Sequence, residues 1–191
     1  MIVCIGKSCG SGGHEIGELL AKQLGYAYYD QKTLESAASR EIFENTPAEK
    51  DTLYAQSSED VLSEIGEAYE AGRTQFLAKN SVVLQAAANG NCVIDMNCAD
   101  YVLREASLEY ISIFITAPFE DRVERKKEEL GKDSVQTMTF IKKENLRREH
   151  YYNYITGGSW GEPSNYDICV NSTARGIEKT AEMICGMVEK L

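Results

Sequence analysis

Histidine is scarce in this 191-residue sequence: only two are present, and none of the six cysteines forms a C-x-x-C pair. Structural zinc sites are usually built from such pairs together with histidines, so the side chains predict no metal site of their own. One cysteine, Cys9, lies in a glycine-rich stretch before a predicted helix, a position that can lower the pKa of a thiol. A reactive role for Cys9 is therefore a minor alternative.

The sequence also has few positively charged residues and no long apolar runs. Lysine and arginine total 20 against 30 aspartates and glutamates, which gives a formal net charge of −10 and a pI near 4.8. This balance argues against a general nucleic-acid binder, because such proteins carry an excess of cations that neutralise phosphates. No stretch approaches 18 consecutive apolar residues, and the N-terminal apolar run is too short for a signal segment, so no membrane partner is expected. The default expectation is a cytoplasmic protein.

Short apolar runs separated by helical patterns indicate an α/β domain. Length and composition are those of one globular domain with a sizeable core. Helical spacing between the runs predicts crossover connections, and therefore a mostly parallel sheet of about five strands. In such sheets ligands bind beyond the carboxyl ends of the strands, so the residues that follow each strand carry the functional interest. The predicted strands are Met1–Ile5, Tyr26–Asp30, Cys92–Asp95, Tyr110–Thr116 and Tyr166–Asn171.

The first predicted strand leads into a glycine-rich loop and then into a helix. After Ile5 the sequence runs Gly-Lys-Ser-Cys-Gly-Ser-Gly-Gly-His. Glycines let backbone N–H groups turn towards one point, and the helix N-terminus adds unpaired donors and positive partial charge. The alternative is a tight glycine-rich turn that binds nothing. We predict a phosphate-binding loop whose nucleotide-contacting residues are Ser8, Gly10, Ser11, Gly12, Gly13 and His14.

This loop departs from the usual phosphate-loop pattern G-x-x-x-x-G-K-[ST]. When Gly12 fills the second glycine position, Gly13 stands at the lysine position and Lys7 at the first glycine. The loop therefore lacks the ammonium group that contacts the outer phosphates of a nucleotide. Lys7 and His14 are the nearby cations that could replace it, and we predict a catalytic role for Lys7.

Polar residues also follow the second and third predicted strands. Asp30 ends the second strand and Lys32 follows it, Asp95 ends the third strand and Asn97 follows it, and we predict that all four contact the substrate. Asp95 stands where phosphate-loop proteins often hold an acid that organises Mg²⁺. An equally good interpretation makes it a helix-capping or solvent-facing acid. Mg²⁺ would otherwise be held by water, substrate phosphates and loop hydroxyls.

Several motifs along the chain carry a resemblance to a known family. They are the loop G-K-S-C-G-S-G-G-H-E-I-G, Tyr28-Tyr29-Asp30, Cys92-Val93-Ile94 with Cys98-Ala99-Asp100-Tyr101, Ile115-Thr116-Ala117-Pro118, and a string from Tyr151-Tyr152 through Trp160-Gly161 to Asn165-Tyr166-Asp167. With these motifs the sequence resembles the cytidylate-kinase-like family of P-loop nucleoside-monophosphate kinases over nearly its whole length. The resemblance implies a P-loop NTPase-type three-layer α/β/α fold, ATP with Mg²⁺, and a nucleoside monophosphate as acceptor, with CMP the first candidate.

The resemblance implies two accessory regions within the single domain 1–191. Residues from about 41 to 90 correspond to a helical insert on the acceptor side, in which Arg73 could contact the acceptor. Residues from about 122 to 165 correspond to a lid-like region.

Four arginines of the lid-like region stand where similar proteins place phosphate-facing arginines. They are Arg122, Arg125, Arg147 and Arg148. Guanidinium groups suit bidentate contact with phosphate better than lysine does. Arg147 and Arg148 are adjacent on a predicted helix, so only one of them faces the site. We favour Arg125 and Arg147 as catalytic residues, against the alternative of a solvated charged face.

The leading prediction is a kinase that transfers the γ-phosphoryl group of ATP to a nucleoside monophosphate. In similar proteins a Gly-Arg pair follows the third strand, whereas this chain has Met96-Asn97 and so lacks an arginine for the acceptor's phosphate. That departure and the missing loop lysine motivate the alternative of a nucleotide- or phospholigand-binding protein of the same fold that has lost catalysis. A purely structural domain is a third interpretation. A homo-oligomer is compatible with the sequence, which does not define one.

Overall fold

The computed structural model describes residues 1–34, 36 and 80–190. The predicted acceptor-side insert lies outside the described residues except for its last part, and Arg73 lies outside them as well. Within the described ranges, no helix is long and apolar enough to cross a membrane.

Five strands form one sheet in the order β2-β3-β1-β4-β5. Every neighbouring pair is parallel, which confirms the predicted parallel α/β architecture. The central strands are continuous apolar runs because both of their faces are covered. Their bounds are β1 Ile2–Lys7, β2 Ala27–Asp30, β3 Cys92–Asp95, β4 Ile111–Thr116 and β5 Ile168–Asn171.

Helices connect these strands and cover the sheet. Their bounds are α1 Gly13–Leu24, α2 Ala99–Glu105, α3 Phe119–Leu130, α4 Ser134–Thr156 and α5 Ile177–Val188. Residues 31–34 and 80–88 are also helical. Helix α1 ends at Gly25 in the left-handed conformation, with φ of 68°, as its glycine predicts. At the start of α4, the Asp133 side chain accepts a hydrogen bond from the Gln136 backbone.

Side chains alternate along β1 and build a core on each face of the sheet. Ile2 and Cys4 pack on one side, in a cluster with residues of the 80–88 helix and α2. Val3 and Ile5 pack on the other side, in a cluster with residues of α1 and α5. This period-two pattern produces the predicted three-layer α/β/α arrangement.

At the carboxyl edge of the sheet, β1 marks a topological switch point, because the later strands lie first on one side of β1 and then on the other. From β1 the chain passes to β2 and β3 on one side, and then to β4 and β5 on the other. Ligands bind at such switch points in open α/β sheets. The loop after β1 and the last residue of β3, Asp95, both lie at this edge, with Asp30 beside Asp95 in register.

Candidate functional site

The loop between β1 and α1 depends on two glycines with positive φ. Gly10 has φ of 81° and Gly12 has φ of 74°, both in the left-handed region that side chains disfavour. Space is equally restrictive, because a Cβ atom on Gly10 would lie 2.7 Å from the backbone oxygen of Arg122, and one on Gly12 would overlap the Ile177 side chain. The loop is therefore a tightly enclosed backbone turn.

Backbone donors at the end of this loop are available to an anion. The earlier N–H groups hold the loop in shape: Ser8 donates to the Ile115 carbonyl at 3.0 Å, and Ser11 donates to the Ser8 carbonyl at 3.1 Å. Gly12 is the N-cap of α1 and supplies no side chain to bond the first turn. The first N–H groups of a helix have no intrahelical partner, and they carry the positive end of the helix dipole. Such a helix start is a ready anion-binding site.

Two arginines hold the loop from outside through its carbonyl groups. Arg125 Nη1 donates to the Gly10 carbonyl at 2.5 Å, and Arg148 Nη1 donates to the Lys7 carbonyl at 3.0 Å. These bonds fix the loop and bring two guanidinium charges to it. Of the sequence-predicted catalytic arginines, the structure thus places Arg125 at the loop.

Arg147 lies elsewhere, on the solvent side of α4. Its guanidinium pairs with Glu144 at 3.1 Å, and its side chain is 64% exposed, against 18% for Arg148. Adjacent helical residues project about 100° apart, so the helix can turn only one of the two towards the loop. Arg148 occupies the place that the sequence analysis favoured for Arg147. Arg122 Nε donates to the Ala117 carbonyl at 3.0 Å, at the end of β4.

Lys7 and Asp95 form an ion pair at the carboxyl edge of the sheet. The Lys7 ammonium contacts Asp95 Oδ1, and the Asp95 side chain is only 2% exposed. Asp95 Oδ2 accepts a hydrogen bond of 3.0 Å from the Tyr28 hydroxyl and lies 3.3 Å from His14 Nδ1. Asp95 is thus neither solvent-facing nor a helix cap. Burial, together with the nearby Arg148 guanidinium, lowers the pKa of Lys7 to about 7.

The two loop serines have different environments. Ser8 Oγ lies 3.3 Å from Thr116 Oγ1 at the end of β4. Ser11 is buried, and its Oγ has no partner within the described residues, while its carbonyl accepts a 2.6 Å hydrogen bond from Ser172 Oγ. A buried hydroxyl without a partner is costly, so Ser11 retains an unused donor within the loop.

The other predicted acceptor-side residues have different environments. Asp30 caps the following helical turn by accepting a 2.7 Å hydrogen bond from the Thr33 backbone. Lys32 is exposed, and Asn97 is half-buried beside β3. Of these three, only Asp30 is in register with Asp95.

Two loop contacts from α4 escaped the sequence analysis. Asn145 Oδ1 accepts a 2.8 Å hydrogen bond from the Cys9 backbone, and Arg148 was not favoured. The sequence contained a signal for both contacts, because Ile141 and Tyr152, which are buried in the structure, mark the inner face of α4. Positions 141, 145, 148 and 152 recur at helical spacing, so Asn145 and Arg148 share that face.

Cys9 does not have the environment of a reactive thiol. Its side chain is buried in a small cluster with Val123 and Ile141. Burial raises the pKa of the Cys9 thiol, with nearby cations only partly opposing it. The expectation of a lowered pKa is wrong, because removal from water outweighs the helix end.

Known structures share this fold. An uncharacterized protein from Eubacterium ventriosum matches with a TM-score of 0.77 at 21% identity, covering 100% of this chain and 99% of that chain. Shikimate kinase from Bacteroides thetaiotaomicron gives 0.56 at 14% identity, with 99% and 98% covered. The APS kinase CysC of Mycobacterium tuberculosis, solved with AMPPNP and APS, gives 0.55 at 16% identity, with 98% and 96% covered. The fold is therefore that of P-loop kinases.

Comparison with curated proteins gives no match. The family model described as the cytidylate kinase-like family matches residues 2–174, which include the loop, β3, all four arginines of the predicted lid-like region and β5. Because this match spans most of the sequence, the chain belongs to the cytidylate kinase-like family.

Proposed function

We propose that the protein is an ATP-dependent phosphotransferase that acts on a nucleoside monophosphate, with CMP the first candidate. The observation that carries the proposal is the uncapped N-terminus of α1, which follows an enclosed glycine loop at the carboxyl edge of the sheet. That edge is where ligands bind in this class of sheet. The kinase-like fold and the family support a phosphotransferase in general.

The donor's phosphates would lie on the backbone amides of Gly12, Gly13 and His14, because the Ser11 N–H already donates within the loop. Phosphoryl transfer is mostly a matter of positioning and of neutralising charge on the moving group. Arg125 and Arg148 supply charge beside the loop, although both already donate to loop carbonyls. Each guanidinium has five N–H donors, so one bond to a carbonyl leaves others for phosphate oxygens.

Mg²⁺ suits this site only as an ion that is bound mainly by the nucleotide. In the described ranges, no group of three or more His, Cys, Asp or Glu residues could hold a metal. The oxygen donors at the edge include the Asp95 carboxylate and the Ser8 hydroxyl. Mg²⁺ is commonly held by one carboxylate together with substrate phosphates and water, and this donor set fits that pattern. When bound, it would neutralise charge on the transferred phosphoryl group.

The acceptor would lie beyond β2 and β3. Asp30, Lys32, Asp95 and Asn97 are the proposed contacts there, with Arg73 from the insert. Asn97 replaces the arginine expected to hold an acceptor phosphate, and this substitution favours a second candidate function. A protein that binds nucleotides or phospholigands without catalysis would keep the loop and dispense with that arginine. The cytoplasmic location and a homo-oligomeric state stay predictions of the sequence.

An ADP-release assay with MgATP and each common nucleoside monophosphate tests the proposal. We expect turnover with at least one acceptor, CMP being tried first, and we expect it to fall in the matched Arg125→Ala variant. Loss of turnover in Arg125→Ala would show that the activity belongs to this protein and not to a contaminating kinase. Tight ATP binding by calorimetry without turnover for any acceptor would refute the kinase and support the second candidate. Absence of nucleotide binding would refute both.

A further inference from the structure

The stem of Lys7 occupies the space that a side chain at position 13 would need. A Cβ atom built on Gly13 would lie 2.7 Å from both Cβ and Cδ of Lys7, closer than real Cβ atoms approach their neighbours. Gly13 belongs to α1, and its φ is not positive, so its backbone does not require glycine. Glycine is needed at position 13 because Lys7 lies there.

The backbone conformation at position 7 permits a lysine there. Lys7 is the last residue of β1 and pairs with Ile115 of β4, so its conformation is extended and suits any side chain. The left-handed turns fall later, at Gly10 and Gly12. The glycine that the usual pattern places at this point is therefore dispensable here.

We infer that Lys7 supplies, from the start of the loop, the phosphate-binding ammonium group that phosphate loops usually supply from the position of Gly13. The ligand class is the polyphosphate chain of a nucleoside triphosphate, so the inference rests on the proposed function for its natural ligand. The lysine and the glycine have exchanged places in the pattern, and the stem of Lys7 lies at the point where the side chain of the usual lysine would begin.

Two residues position Lys7 in the absence of a ligand. Asp95 holds the ammonium, and Arg148 holds the Lys7 carbonyl. The Lys7 side chain is 19% exposed, so it is not fully enclosed by the protein. Asp95 and Arg148 are thus positioning residues in this inference, and Lys7 is the residue that contacts phosphate.

Calorimetric titration with magnesium-free inorganic tripolyphosphate tests the inference apart from catalysis. Lys7→Ala alone would leave the buried Asp95 carboxylate without its cation, so the test variant is Lys7→Ala with Asp95→Asn, compared with Asp95→Asn alone. Lys22→Ala, at an exposed position in the last turn of α1, is the control for loss of one positive charge. We expect Lys7→Ala to weaken binding about tenfold or more in the Asp95→Asn background, and Lys22→Ala to change it less than about twofold.

The decisive variant exchanges the two residues. Lys7→Gly with Gly13→Lys recreates the usual pattern, and we expect it to bind tripolyphosphate within about threefold of the wild-type protein. Equal binding with and without Lys7, or no binding by the wild-type protein, would overturn the inference. So would a folded exchange variant that binds no better than the lysine-free one. If tripolyphosphate binding depends on Lys7 and no acceptor is phosphorylated, the proposed function fails while the inference stands. If Lys7→Ala keeps the full turnover of the wild-type protein, the inference fails while the proposed function stands.

Discussion

The Tyr152 hydroxyl donates a hydrogen bond of 2.8 Å to the carboxylate of Asp100. Tyr152 lies on the inner face of α4, and Asp100 lies in the first turn of α2, so the bond joins α4 to the helix that follows β3. Arg148 and Asn145 hold the same face of α4 to the loop. Helix α4 therefore braces the loop through Asn145 and Arg148, and about one turn later Tyr152 holds α4 to α2.

Removing the Tyr152 hydroxyl is expected to loosen this brace. Tyr152→Phe removes the side-chain hydrogen bond to the half-buried Asp100 carboxylate, so we expect a loss of about 1–3 kcal/mol in the free energy of unfolding. Urea denaturation of Tyr152→Phe, Asp100→Asn and the double variant gives the coupling between the two residues. A coupling near zero would show that the bond contributes nothing to stability.

The pH dependence of stability should contain a contribution from Asp100. Burial raises the pKa of this carboxyl, while the hydrogen bond from Tyr152 and the charge of Arg104 oppose the rise only in part. The unfolded chain then ionises first, so it binds fewer protons than the folded one from about pH 4 upward. Stability therefore falls with rising pH until the folded carboxyl also ionises. The slope in this window is at most about 1.4 kcal/mol per pH unit.

Asp100→Asn removes this contribution and is measured by urea denaturation across the same pH range. We expect the stability of the variant, relative to the wild-type protein, to increase as pH rises above about 4. Tyr110 and Cys4 also interact electrostatically with Asp100, but both titrate far above this range. Parallel pH profiles for the two proteins would contradict the prediction.

Gly10 and Gly25 form a matched pair that separates backbone strain from lack of space. Both have positive φ, at 81° and 68°, but a Cβ atom meets the Arg122 carbonyl only at Gly10, whereas nothing lies within 4 Å at Gly25. Gly25→Ala should cost about 1–2 kcal/mol of unfolding free energy and leave ATP binding intact. Gly10→Ala should cost more and abolish ATP binding, because the loop must move. Thermal unfolding and calorimetry would show this difference, and equal effects would refute it.

Arg148 and Arg147 provide a second comparison, between adjacent positions of one helix. Arg148→Ala removes a charged hydrogen bond to the Lys7 carbonyl, so we expect a loss of about 1.5–3 kcal/mol in stability and weaker ATP binding. Arg147→Ala removes an exposed pair with Glu144 and should change stability by less than about 1 kcal/mol. Denaturation and ATP titration of both variants show which of the two arginines supports stability and ATP binding. A larger effect of Arg147→Ala on ATP binding would contradict this expectation and support the prediction made from sequence.

Prediction from sequence worked well where a signal is contained in neighbouring residues. The five strands and their parallel alignment follow from apolar runs such as Cys92–Asp95 and from the helical spacing between them. The glycine loop before α1 follows from its position after β1. Hydrophobic periodicity is local, and it is the main signal of secondary structure.

The choice among candidate site residues needed contacts between distant parts of the chain. Arg148 meets the Lys7 carbonyl across 141 residues, and Asn145 meets the Cys9 backbone across 136. Helical spacing placed Arg147 and Arg148 side by side, but only the packing of α4 decides which of them faces the loop.

The sequence by itself thus determined the layered α/β architecture, the glycine loop and the family, because each is written in short-range pattern and motif. Tertiary structure alone decided that Cys9 is buried, that Lys7 is paired with Asp95, and that the Lys7 stem fills the place left by Gly13. Burial, charge pairing and close contact are properties of three-dimensional neighbours, and those neighbours come from strands and helices far apart in the chain.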